Sequence, residues 1–178
     1  GMYLLAEGKG GKKAPRVQLM GSGTILREVI AAAELLDQDF GVASDVWSCP
    51  SFTELRRDGM EAARWNLLHP EAAPRVPHIA KCLDKRVGPA VVATDYMRIF
   101  AEQVRPYVDR RYTVLGTDGF GRSDTREQLR RFFEVNRFYV VVAALKSLAD
   151  EGTIPAVTVT QAIRKYQIDP EKAAPWRV

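Results

Sequence analysis

The chain has 178 residues, 46% of them hydrophobic and 27% charged, which suits one globular domain around a single core and excludes a disordered or fibrous protein. Its net charge is +4, but the basic residues are scattered among acids except at Lys9, Lys12, Lys13 and Arg16, so the basic stripe of a nucleic-acid binder is missing. The 2 cysteines make no disulfide framework and suit a reducing cytosol, no apolar run reaches the roughly 18 residues of a membrane span, and nothing at the N-terminus reads as a signal peptide.

In chain order, residues 1–15 read as an arm. Gly8-Lys9-Gly10-Gly11-Lys12-Lys13 is expected to be flexible and solvated, and it lacks the spacing and final Ser or Thr of a phosphate-binding loop. Residues 16–178 form the domain. Arg16 to Met20 is a first strand, ended by Gly21-Ser22-Gly23. Thr24 to Phe40 is a helix whose apolar stripe is Ile25, Val29, Ala32, Ala33, Leu36 and Phe40. Strand, GxG and helix together suggest a dinucleotide fingerprint, but Leu26 stands where the third glycine belongs, so the stretch reads as a tight turn.

Gly41 to Ser48 is a second strand, closed by Cys49-Pro50. Ser51 with Glu54 makes a capping box for a helix from Phe52 towards Leu68, with Trp65 and Leu68 packed inward. Cys49 at a strand end invites a nucleophile reading, but no histidine is placed to serve it as a base. From His69 to Pro89, four prolines forbid an extended helix, leaving room for a short one around Ile79 to Leu83. His69 and His78 have no cysteine or acidic ligand patterning around them, which argues against a metal site.

Ala90-Val91-Val92-Ala93 is apolar throughout, as in a parallel-sheet strand buried on both faces. Thr94-Asp95 supplies the turn and cap for a helix from Tyr96 to Tyr107 with Ile99, Phe100 and Val104 on one face. Arg111 to Leu115 is a fourth strand. It leads into Gly116-Thr117-Asp118-Gly119-Phe120-Gly121-Arg122, a turn that displays an acid, an aromatic and a cation before a helix from Asp124 to Glu134. Asp124 with Glu127 fits a capping box there, and Leu129, Phe132 and Phe133 supply the buried face. Asn136 caps the next element. Tyr139 to Val142 has strand propensity, but the apolar run continues to Ala149, and its length favours a buried helix stopped by Gly152. Val157 falls in a short strand or turn, Thr158 with Gln161 caps a last helix towards Tyr166, and Asp169 to Val178 reads as a frayed tail.

Alternating strand and helix units imply an α/β fold, a mostly parallel sheet with helices on both faces. The turns at the strand carboxyl ends should then gather at one rim, where ligands of open sheets bind. Ser22, Ser51, Asp95, Asp118, Phe120 and Arg122 are the candidate site residues of that rim, and an anionic metabolite is the ligand they suggest.

Several stretches taken together resemble one family. They are Val17 to Gly23 with Ile25-Leu26-Arg27, Ser51 to Leu55 with Arg57-Asp58-Gly59, Arg64-Trp65-Asn66 with Leu68-His69-Pro70, and Pro74 to Pro77. Ala93 to Met97, Phe100 to Arg105, Val114 to Asp124 and Tyr139 to Leu145 complete the set. The chain resembles the C-terminal domain of the first, decarboxylating component of the homodimeric bacterial pyruvate dehydrogenases, in the transketolase-like superfamily. Gly1-Met2-Tyr3 resembles an interior segment at the start of that domain, which implies a piece of a longer chain.

The resemblance implies a cytoplasmic enzyme that uses thiamine diphosphate and magnesium to decarboxylate pyruvate and acetylates the lipoyl group of the dihydrolipoamide acyltransferase component. The implied partners are the remaining domains of the same chain, a homodimer partner and that acyltransferase, with no nucleic acid and no membrane. It places the catalytic and cofactor residues in other domains, so no catalytic, cofactor-binding or metal residue is carried over to this chain. Its role is then structural, in assembly. A small-molecule regulatory domain is the alternative.

Overall fold

The computed structural model describes residues 1–11 and 14–178; Lys12 and Lys13 of the expected flexible loop lie outside the described residues. Strands β2 (Arg16–Gly21), β3 (Ala43–Ser48), β4 (Ala90–Ala93) and β5 (Tyr112–Leu115) pair in parallel in the order β3-β2-β4-β5. The expected parallel α/β sheet is present. Strand β1 (Tyr3–Ala6) is the departure: it lies antiparallel along the free edge of β3, with Tyr3 opposite Ser48. The expected arm is therefore part of the domain. Its backbone covers a strand edge that would otherwise stand open, and Met2 is buried beside it.

The β-strand side chains alternate between two apolar layers. Val17, Leu19, Val46, Val91 and Ala93 face the helices α1 (Leu26–Phe40), α6 (Arg137–Asp150) and α7 (Ala156–Lys165). Met20, Trp47, Ala90, Val92 and Val114 face α2 (Phe52–Leu68), α3 (His78–Leu83) and α4 (Arg98–Glu102). Each fully buried valine contributes about 1.5–3 kcal/mol through loss of apolar surface to water. The helical reading of Tyr139 to Val142 holds. Val140, Val141, Ala144, Leu145 and Leu148 are all buried, which is a helical spacing, and Asn136 Oδ1 accepts from the Tyr139 amide at 3.2 Å. Ser51 likewise caps α2, its Oγ accepting from the Glu54 amide at 3.2 Å.

Other expectations need correction. Helix α4 is short, and a 3-10 turn at Arg105–Tyr107 follows it, because Pro106 cannot donate the next helical hydrogen bond. Ile99, Phe100 and Val104, expected on one face, part company: Val104 is buried, while Ile99 and Phe100 are exposed. Helix α5 (Arg126–Phe132) begins one residue later than the Asp124 cap predicts: Thr125 Oγ1 accepts from the Gln128 amide at 3.3 Å, while Asp124 Oδ1 accepts from the Thr125 amide. None of its residues is fully buried; Leu129, Phe132 and Phe133 are partly covered. Helix α7 starts at Ala156 after Pro155, not at a Thr158 cap, as a proline suits a helix entry. Trp65 is half-buried and Leu68 is exposed. Trp65 stacks on His69 at 4.4 Å, and the Arg75 guanidinium lies 4.3 Å from the centre of the Trp65 ring.

Candidate functional site

Strand order brings the carboxyl ends of β2, β4 and β5 side by side, and their turns are tied together by side-chain and backbone hydrogen bonds. Ser22 Oγ and Thr94 Oγ1 share a buried hydrogen bond of 2.7 Å. Thr117 N donates to Tyr96 O at 3.0 Å, and Thr117 Oγ1 donates to Asp95 O at 2.8 Å. The two turns approach so closely at Gly116 that a Cβ there would lie 2.8 Å from both Arg98 N and Tyr96 O. Gly119 has φ +115, and a Cβ on it would meet Pro175 O at 2.6 Å. A side chain at either position would force the turn open.

The last segment of the chain is thus packed, not frayed. Pro175 is buried in a 3-10 turn, and the Trp176 ring lies 4.6 Å beneath the Arg98 guanidinium. Arg98 Nε in turn approaches Asp118 Oδ2 at 3.2 Å, although Nε finds no aligned hydrogen bond. Lys172 Nζ donates to Phe132 O at 2.7 Å and so satisfies a carbonyl at the end of α5.

Helix α5 leans over this rim and leaves a cavity of about 370 Å³ between itself and the turns, within the range of ligand pockets of about 300–1,000 Å³. Ile25, Leu129, Phe133 and Val135 give it apolar walls. Arg122, Arg126 and Arg130 line its α5 side, and Thr24, Asp95 and Thr117 its strand side. Arg130 donates to Glu28 Oε1 at 3.0 Å. Arg122 lies 4.3 Å over the Phe132 ring, and among the described residues neither Arg122 nor Arg126 has an ion-pair partner. Asp95 Oδ2 accepts from Thr24 Oγ1 at 3.2 Å.

Of the six rim candidates, the cavity brings together Asp95 and Arg122. Ser22 is buried behind it against Thr94. Asp118 is spent on Arg98, Phe120 projects into solvent at 81% exposure, and Ser51 caps α2 beside the Gly1 carbonyl, away from the cavity. Thr24, Thr117, Arg126 and Arg130 were not among the candidates. Arg126 and Arg130 stand four residues apart on α5, a spacing that the sequence displays.

Glu28, near the start of α1, fixes the back of this region. Its carboxylate is buried and accepts from Arg137 N and Nε at 3.0 Å each. Burial alone would raise its pKa; the hydrogen bonds and charge of Arg137, with the charge of Arg130, hold it below the usual value. The nucleophile reading of Cys49 is contradicted. The thiol is fully buried, and burial pushes its pKa to about 12, which leaves almost no thiolate near neutrality. Cys82 is raised by burial as well.

Residues 1–136 match the family described as the transketolase-like TK C-terminal domain. The chain is 61% identical over all 178 residues to a "Pyruvate dehydrogenase E1 component" of Cupriavidus necator, covering 20% of it. It is 58% and 56% identical over 176 residues to proteins of that name in Pseudomonas aeruginosa and Escherichia coli, covering 20% and 19% of them. The chain thus spans about a fifth of the length of these relatives. Among solved structures, a split-gene transketolase, an inactive beta4 tetramer, superposes with a TM-score of 0.56 at 20% identity, over 84% of this chain and 42% of that one. A transketolase mutant of Pichia stipitis gives 0.55 at 18% identity, over 85% and 18%. The fold and the family match agree, and the chain belongs to the transketolase-like TK C-terminal domain family.

Proposed function

We propose that the chain is the C-terminal domain of a pyruvate dehydrogenase first component, with a structural role in assembling the enzyme. The observation that carries this is the 61% identity across its whole length to the Cupriavidus necator protein. In the whole enzyme, thiamine diphosphate and magnesium would serve decarboxylation of pyruvate, and the acetyl unit would pass to the lipoyl group of the dihydrolipoamide acyltransferase component. This chain's own residues do not fit the magnesium–diphosphate group. Among the described residues no three His, Cys, Asp or Glu side chains converge on a cation position, and Asp95 and Asp118 are engaged by Thr24 and Arg98. No chemical step is therefore assigned to them.

Exposed apolar residues support the assembly role. Tyr96, Met97, Ile99 and Phe100 stand open next to one another, with Ile99 62% exposed, and Met60 and Phe100 line one shallow groove. Such a patch marks a surface that other protein covers. The proposed partners are the other domains of the same polypeptide and a second subunit. No described helix is long and apolar enough to cross a membrane.

The test is pyruvate-dependent reduction of ferricyanide with thiamine diphosphate and magnesium, run on the full-length polypeptide and on this chain alone. Activity in the first and none in the second is the expected result. Turnover by the isolated chain would overturn the assembly role; none in the full-length polypeptide would overturn the assignment. A second reading, a regulatory domain for a small molecule, is favoured by one specific observation: the cavity at the rim is lined by two arginines, Arg122 and Arg126, that have no ion-pair partner among the described residues.

A further inference from the structure

We infer that the rim cavity is a binding site for an organic phosphate with a compact apolar body, an inference that rests on the small-molecule reading above. The walls divide the chemistry. On the α5 side stand Arg122 and Arg126, both exposed and, among the described residues, without ion-pair partners. Two guanidiniums lining one cavity suit a dianion, because each offers paired donors to phosphate oxygens. Arg130 is committed to Glu28, so it fixes the wall and adds positive potential.

The floor is apolar, with Ile25, Leu129 and Phe133. A bare inorganic anion would leave that surface uncovered, whereas a ring or short alkyl chain would fill it. Asp95 on the opposite wall repels a negative group and so sets the orientation: the phosphate towards α5, the body across the floor. An adjoining cavity of about 480 Å³ shares Arg126 and Arg130 with the first, which leaves room for a phosphate to extend along the helix. Volume, apolar floor and convergent cations together are what a small-molecule site requires.

Fluorine NMR on the full-length polypeptide tests this with 4-fluorophenyl phosphate, with 4-fluorophenol and 4-fluorobenzylamine as neutral and cationic controls. Saturable binding of the phosphate is expected, with both controls at least about tenfold weaker, the loss of one charge-assisted contact. Arg122→Gln and Arg126→Gln should each raise its dissociation constant about tenfold; both side chains are exposed, so neither change disturbs the core. Equal binding of the controls would overturn the phosphate class and leave a small-molecule site standing. Phosphate binding that neither substitution weakens would place it elsewhere and overturn the inference. No binding of any probe would sink both the inference and the reading beneath it.

Discussion

At the amino ends of β2 and β3, Asp45 is completely buried and fully partnered: Gln18 Nε2 donates to it at 2.9 Å, Gly8 N at 3.1 Å, and Arg16 and Arg86 pair with it. Trp47 Nε1 completes the network by donating to Gln18 Oε1 at 2.8 Å. At the carboxyl ends of the parallel strands, by contrast, Asp95 and Arg122 open onto a cavity, and the turns are joined by exposed as well as buried hydrogen bonds. A charge inside the sheet has to find every partner within the protein or lose several kcal/mol, on the order of 3–5. A charge at the open rim keeps its water and stays free to meet a ligand. One end of the sheet is closed by a buried charge network; at the other, Arg98 and Arg130 are paired with Asp118 and Glu28, while Arg122 and Arg126 have no ion-pair partner among the described residues.

Breaking the closed end should have the largest effect. Asp45→Ala removes the acceptor that Arg16, Arg86 and Gln18 share and leaves them only Gly8 O and Gly10 O, Glu7, and Val87 O respectively, and should lower stability by about 3 kcal/mol. Urea unfolding followed by Trp fluorescence measures it, and an unchanged midpoint would mean that water already solvates the network. Glu28→Gln comes next, at about 2–3 kcal/mol, since it weakens charged hydrogen bonds to Arg130 and Arg137.

Glu28 also carries a pH signature. Its folded pKa lies below the ordinary 4.5, so its contribution is fully present above that value and is lost as pH falls through the folded value. Acid unfolding of Glu28→Gln should therefore be less steep below about pH 4.5 than that of the unsubstituted chain. Parallel acid limbs would show that the carboxylate is not what holds α1 to α6.

The open end should respond less. Gly119→Ala places a Cβ against Pro175 O in a backbone conformation with φ +115, at a cost of about 1–2 kcal/mol. Proteolysis of the last segment would report it, with faster cleavage near Trp176 expected and unchanged cleavage counting against the packed tail. Arg122→Ala should change stability least, by about 0.5–1 kcal/mol from its stacking on Phe132. A larger loss in thermal unfolding would mean that this arginine is structural and not held for a ligand.

How much of this was legible before the fold depended on the distance along the chain between interacting residues. The Ser51 cap, the Asn136 cap, the apolar β4 run and the helix across Val140 to Leu148 are settled within one or two turns of chain, and their residues announced them. The misplaced starts of α5 and α7 show the limit of that reading: Asp124 and Thr125 are both competent caps, and only the geometry of the preceding turn selects Thr125. Strand β1 and the ordered tail left little local trace, because Tyr3 is held by Ser48 and Pro175 by the turn at Gly119.

The candidate site follows the same rule. Asp95 and Arg122 could be nominated because both follow strand ends, and strand ends of a parallel sheet share a rim. Ser51 met the same criterion, yet its hydroxyl is used as a cap beside Gly1. By itself, the amino-acid sequence determined the α/β class, the parallel strands and the family, since periodicity, caps and ordered motifs are local properties of the chain. Only the tertiary structure decided which rim residues meet, that Asp118 is taken by Arg98, and that Arg122 and Arg126 face an apolar floor. Strand order and the lean of α5 set those distances, and both arise from packing between segments far apart in the chain.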